Sequence, residues 1–212
     1  MATSQLNEEQ LKDALCEVRK AHRLVYEYQR RMQDLSWFIR NKLGFNEYKG
    51  FKKFSAPLSS RNTISVDNWS WDWIYSYVYE YYMGEQSEKD YCWKVSIFQV
   101  SDTGFYKNRG NGARQTKINT FADVKESDSK VIFYLSAATK SAKEYDWDTD
   151  NIIKEYAIQD GFFKIENTPK HIQIVYSVPL SKFVSEEAIM LILRDFVEYC
   201  NKNAGVNLKI QE

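Results

Sequence analysis

The chain has 212 residues and no formal net charge; 43% of its residues are apolar and 16% are aromatic. With only three prolines and eight glycines, this composition is typical of a folded chain and excludes a disordered or low-complexity one. No run of about 18 apolar residues is present, so no membrane span is expected. Residues 1–9 are polar and lack the pattern of a signal peptide, which predicts a cytoplasmic protein.

The charge is unevenly distributed along the chain. Residues 19–61 contain eleven Lys/Arg and three acidic residues, a net charge of +8, so the remainder carries −8. Such segregation can hold protomers together or attract a polyanion to one end of the chain.

The first predicted element is a long helix over residues 7–43, which contains neither Pro nor Gly. Asn7 and Gln10 match the pattern of a capping box, and Gly44 stands where a helix C-terminal glycine belongs. Apolar residues follow a 3-4 spacing typical of a coiled-coil seam. The predicted interaction seam is Leu11, Val18, Val25, Tyr28, Met32, Leu35 and Ile39, with Ala14 and Ala21 between them.

Two interpretations of this helix remain open. Leu15, Leu24 and Phe38 widen the stripe towards an ordinary buried face, and Ala14 and Ala21 weaken a free dimer, which favours packing within the same fold. However, about 36 residues at 1.5 Å each extend roughly 54 Å, and a compact chain of this size is about 43 Å across. A straight helix would therefore extend beyond the body, so it must project, bend or pack against a partner.

Further along the chain, residues 45–62 are interpreted as an irregular connector. Rings at every odd position from Trp69 to Tyr81 indicate a strand, assigned to residues 75–83. A polar turn over 84–90 and a returning strand over 91–100 complete a hairpin. Residues 101–121 are predicted as a long loop, 131–137 as a buried strand, 149–157 as a short helix and 171–178 as a strand. Ser185 is the predicted cap of a C-terminal helix ending near residue 203.

These elements predict an α+β fold, with an antiparallel or mixed sheet of about four strands. The C-terminal helix covers the sheet, and the helices lie on one side of it. The long helix, residues 1–44, and the α+β body, residues 45–212, are expected to form a single domain overall.

A basic loop offers a possible nucleic-acid-binding site. Its cations are Lys107, Arg109, Arg114 and Lys117, and the neighbouring Phe105 and Tyr106 could stack on bases. The alternative is a solvated hairpin loop.

Metal and catalytic patterns are weak. Asp146, Asp148 and Asp150 resemble the start of a calcium loop, but Asn151 and Ala157 replace the required Gly and Glu. An acidic helix N-terminus explains the same residues through the helix dipole and is the favoured interpretation. Asp102 with Asp128 and Lys130 is the nearest match to a nuclease site.

The cysteines, histidines and tryptophans could in principle react or bind a ligand, but a structural role accounts for them. Cys16, Cys92 and Cys200 are far apart and are interpreted as reduced core residues. His22 and His171 have no partner in a known catalytic frame. Trp69, Trp71 and Trp73 could form a ligand platform, although core packing accounts for most such rings.

The sequence therefore predicts a non-catalytic interaction protein that uses its long helix for self-association or for docking to another protein. The alternative is nucleic-acid binding through the basic 19–61 stretch and the basic loop, with metal-dependent nuclease activity as a remoter extension. Neither a cofactor nor a membrane partner is expected.

Overall fold

The computed structural model describes residues 7–54, 70, 74–89, 91–140, 149–168 and 171–211. The chain divides into two compact units between Trp37 and Phe38. Five residues singled out above lie outside the described residues, namely Trp69, Trp71, Trp73, Asp146 and Asp148.

The long N-terminal helix is confirmed as a single element, α1 (Glu8–Lys42), which contains the described part of the first unit apart from Asn7 and ends in the second unit. Its capping box is formed: the backbone N–H of Asn7 donates to Gln10 Oε1 at 3.0 Å, and that of Gln10 donates to Asn7 Oδ1 at 2.9 Å. Gly44 follows the helix with a φ of +69°, a left-handed conformation that glycine adopts without strain. Among the described residues, neither α1 nor any other helix combines the length and apolarity that crossing a bilayer requires.

The second unit is built on an antiparallel sheet that has six strands in the described part of the chain. The strands are β1 (Lys49–Lys52), β2 (Val78–Glu88), β3 (Tyr91–Val100), β4 (Lys130–Thr139), β5 (Gly161–Thr168) and β6 (His171–Pro179). Their order is β1-β2-β3-β4-β6-β5. Within the same described ranges three α-helices accompany the sheet, α2 (Gly104–Asn108), α3 (Thr149–Tyr156) and α4 (Glu186–Ala204).

Opposite faces of the sheet carry separate apolar layers, because successive side chains of a strand point to opposite sides. Ile132 and Tyr134 of β4 belong to a cluster with Ile152 and Ile153 of α3. Phe133, between them, packs on Phe196 of α4 with ring centroids 5.0 Å apart. We call these the α3 face and the α4 face. The expectation that all helices lie on one side was therefore wrong: β4 is buried on both faces, as a continuous apolar run permits.

The four predicted strands are present, and two further strands, β1 and β5, extend the sheet at its edges. β1 has only four residues, mostly exposed, so it shows no apolar alternation. The predicted polar turn at 84–90 was too long, because β2 continues to Glu88 and pairs there with Tyr91. At its other end β2 begins at Val78, after a 3-10 turn over Tyr75–Tyr77.

The predicted C-terminal helix is α4, and its cap is the expected one. The backbone N–H of Ala188 donates to Ser185 Oγ at 3.2 Å, and Gly205 follows with a φ of +67°. Its apolar side, Ile192, Leu193 and Phe196, is buried. Residues 101–121 are less irregular than expected, since they contain α2 and two 3-10 turns.

Candidate functional site

The first part of α1 carries a stripe of exposed apolar side chains. The large residues of this stripe are between 45% and 72% exposed. On a buried helix face, the exposed fraction of such residues would be near zero. From Glu8 to Arg31 no side chain of the helix is buried. We call this stripe the α1 seam; it consists of Leu11, Ala14, Val18, Ala21 and Val25, flanked by Leu15 and Leu24.

The exposed part of the apolar stripe is shorter than the predicted interaction seam. Met32 is 2% exposed and Ile39 is 0% exposed, so neither is available to a partner. Tyr28 and Leu35 are half-buried. The 3-4 apolar spacing continues unchanged through the helix, and spacing alone does not distinguish an exposed position from a buried one.

Ion pairs along α1 are local and exposed. Lys12 pairs with Glu8 at 2.6 Å, Lys20 with Glu17 at 2.7 Å, and Arg30 with Glu27 at 2.8 Å. Exposed pairs at this spacing contribute only a few tenths of a kcal/mol each. The paired side chains lie outside the seam, and the apolar residues of the seam remain exposed.

The cations of the basic loop are mostly exposed, but the two aromatic rings next to them are not available for stacking. Lys107 pairs with Asp128 at 3.3 Å, whereas Arg109, Arg114 and Lys117 are exposed and have no ion pair within the described ranges. Both rings next to these cations pack in the interior instead of standing free for stacking on bases, Tyr106 buried and Phe105 partly buried. Tyr106 is 7% exposed, and Phe105 packs edge-on against Phe54 with a centroid separation of 5.1 Å.

Asp102, from the nuclease-like pattern, forms hydrogen bonds within the fold. Asp102 accepts hydrogen bonds from the Tyr77 hydroxyl at 3.2 Å and from the backbone N–H of Gly104 at 2.7 Å. Burial, and secondly the Asp102 carboxylate, raise the pKa of the Tyr77 hydroxyl above its ordinary value. Lys130 is buried and pairs with Asp160, not with Asp128.

A buried polar group on the α3 face is not predicted by the sequence pattern. Glu80 is 1% exposed. One of its oxygens lies 3.0 Å from Lys53 Nζ, and the other accepts a hydrogen bond from Ser96 Oγ at 2.6 Å. Lys53 also donates to Thr149 Oγ1 at 2.7 Å and lies 3.7 Å from Asp150. We call Lys53, Glu80, Ser96 and Thr149 the Glu80 network. The network pairs the buried carboxylate of Glu80 with a cation and a hydrogen-bond donor. In the sequence, the only indication of it is that polar residues occupy inward-facing positions of β2 and β3.

A serine and a histidine also meet inside the sheet. Ser136 Oγ lies 2.8 Å from His171 Nε2, a separation that a nucleophile and its base require. However, Ser136 is fully buried in the middle of β4, so a substrate has no access to its hydroxyl. We interpret the pair as a satisfied polar contact of the core.

The three cysteines are free thiols without a reactive setting. Cys92 and Cys200 are buried, and Cys16 is half-buried. Burial raises the pKa of the Cys200 thiol well above its ordinary value, which disfavours the nucleophilic thiolate. Across the described ranges, no three His, Cys, Asp or Glu side chains are grouped to hold a metal ion.

A cavity of about 350 Å³ lies in the second unit, at the end of the α4 face. Trp93 lines it, and the indole Nε1 of this residue is buried without a hydrogen-bond partner in the described structure. Apart from one leucine, the remaining lining residues carry amide, hydroxyl or charged groups. They are Leu43, Gln86, Ser87, Glu88, Asn207, Lys209 and Gln211. The lining contains neither His nor Cys, so the α1 seam remains the strongest candidate.

The match of this chain to a protein-family model includes residues of both units. The model of the PM0109 family matches residues 8–207. No curated protein and no solved structure matches the chain. Because the match spans nearly the whole sequence, the protein belongs to the PM0109 family.

Proposed function

We propose that this protein is a non-catalytic, cytoplasmic interaction protein that self-associates through the α1 seam. The observation that carries the proposal is the exposure of the seam: five large apolar side chains along one helix stripe are each at least 45% exposed. Contiguous exposed apolar surface of this kind marks a site of association.

The stability of the helix gives a second reason. Isolated helices are marginal in water, and most helical stability in proteins comes from packing an apolar face. From Glu8 to Arg31 the protomer offers no buried side chain. A capping box and three exposed ion pairs are weak compensation. A partner helix on the seam supplies the missing packing.

Val25→Glu is expected to weaken self-association about 100-fold or more. Burying a valine contributes roughly 1.5–3 kcal/mol, a symmetric pair contains the residue twice, and each 1.4 kcal/mol changes the dissociation constant about tenfold. The oligomeric mass is measured by light scattering and sedimentation at micromolar concentrations.

Tyr26→Glu is the matched control. Tyr26 is 66% exposed and adjacent to Val25, but lies off the seam, so this substitution leaves the mass unchanged. A wild-type protein that is monomeric over the whole concentration range would exclude self-association.

Nucleic-acid binding is the second candidate, favoured by the three basic-loop cations that have no ion pair in the part of the chain that the structure describes. Arg109→Ala with Arg114→Ala would then lower affinity for a single-stranded oligonucleotide and reduce the salt dependence of binding. Lys49→Ala is the control, because Lys49 is an exposed lysine already paired with Glu47. Absence of binding at low salt would remove this candidate.

A further inference from the structure

We propose that the partner on the α1 seam is a second copy of the same helix, running antiparallel and centred between Arg19 and Lys20. The inference rests on the proposed function and adds the orientation and register of the pair. Two independent features of α1 support it, namely the distribution of charge and the sequence of large and small seam residues.

Charge along the exposed part of α1 is separated into two halves. Residues 8–17 contain four acidic residues and one lysine, a net charge of −3. Residues 18–31 contain five Lys/Arg and one glutamate, a net charge of +4. An antiparallel pair places each acidic half beside a basic half, and a parallel pair places like charges together.

The ion pairs within the helix do not cancel this separation. Glu9 and Asp13 in the acidic half have no ion pair among the described residues. Arg19, Arg23 and Arg31 in the basic half have none either. The exposed helix is therefore left with excess negative charge at one end and excess positive charge at the other.

The seam residues fit the same orientation. With the two-fold axis between Arg19 and Lys20, Ala14 lies opposite Val25 of the second copy, and Val18 lies opposite Ala21. Each alanine then faces a valine, so these four central layers, two from each residue pair, have the same composition and a similar volume. A parallel pair would instead stack Ala14 on Ala14 and Ala21 on Ala21, leaving two thin layers that pack poorly.

Orientation can be read directly from disulfide formation in the full-length chain. In a Cys16→Ser background, Ala14→Cys and Val25→Cys are prepared as separate variants. They are mixed and equilibrated in a glutathione redox buffer. The antiparallel pair predicts that the mixed disulfide exceeds either homodimeric disulfide at least tenfold, as measured by mass spectrometry.

Sedimentation of the same samples separates the possible failures. A dimer that yields homodimeric disulfides at Ala14→Cys and Val25→Cys is parallel, and it overturns this inference while leaving self-association intact. A dimer with no excess of the mixed disulfide also overturns it. A monomer under all conditions refutes self-association itself.

Salt gives a second readout that needs no substitution. Raising ionic strength from about 0.05 M to 0.5 M screens charges beyond a few ångströms. An antiparallel wild-type dimer is then expected to weaken several-fold, because attraction between opposite halves is lost. Tighter association at high salt would indicate like charges side by side and would contradict the antiparallel arrangement.

Discussion

Lys53→Met is expected to lower the free energy of unfolding by about 3–5 kcal/mol, because it leaves the buried carboxylate of Glu80 without its cation. Glu80 is 1% exposed, and Lys53 Nζ lies 3.0 Å from one of its oxygens. Ser96 still donates to the other oxygen, but one neutral hydrogen bond does not replace the lost ion pair. Urea denaturation monitored by tryptophan fluorescence measures the loss.

A second substitution tests the physical cause. Adding Glu80→Gln to Lys53→Met removes the unpaired charge, so the double variant is expected to recover part of the stability. Lys49→Met is the control, because Lys49 pairs with Glu47 at an exposed position and should change stability by less than about 1 kcal/mol. Equal losses in the single and double variants would show that charge burial is not the cause.

Phe196→Ala is expected to cost about 3–5 kcal/mol, the usual loss when a buried aromatic side chain is truncated. The Phe196 ring is fully buried and packs against Phe133 at 5.0 Å, so it joins α4 to the sheet. The loss combines the transfer of apolar surface with the cavity that remains. The same denaturation experiment gives the value.

Leu191 supplies the matched control on the same helix. It is 58% exposed, so Leu191→Ala removes little buried surface and should cost less than about 1 kcal/mol. If both truncations cost the same, α4 does not cover the sheet through the Phe196 side of the helix.

Local sequence patterns were sufficient to predict most helices and strands of the second unit. The Ser185 cap and Gly205 bracket α4, and a buried apolar run marks β4, because both signals depend on residues that are neighbours in sequence. β1 and β5 escaped because a sheet edge is stabilised by its partner strand. β1 pairs with β2 from Lys49↔Tyr82 to Lys52↔Tyr79, and its own four residues show no alternation.

The apolar spacing in the sequence predicted the α1 stripe, but the tertiary structure determines how much of that stripe is exposed. Val25 and Met32 occupy equivalent positions in the 3-4 apolar repeat of α1, yet one is 45% exposed and the other 2%. Similarly, Tyr106 belongs to the basic loop by sequence but to the core by structure. Exposure depends on which chain segments lie nearby, which no periodicity encodes.

What the sequence determined alone is the helical nature of α1, its apolar stripe and its division into acidic and basic halves. These follow from side chains three and four residues apart and from counts of charge. Only the tertiary structure decided which part of the stripe is exposed, that both sheet faces are covered, and that Lys53, Glu80 and Ser96 meet. Those features join residues distant in sequence, whose contacts arise from strand pairing and burial and not from local conformational preference.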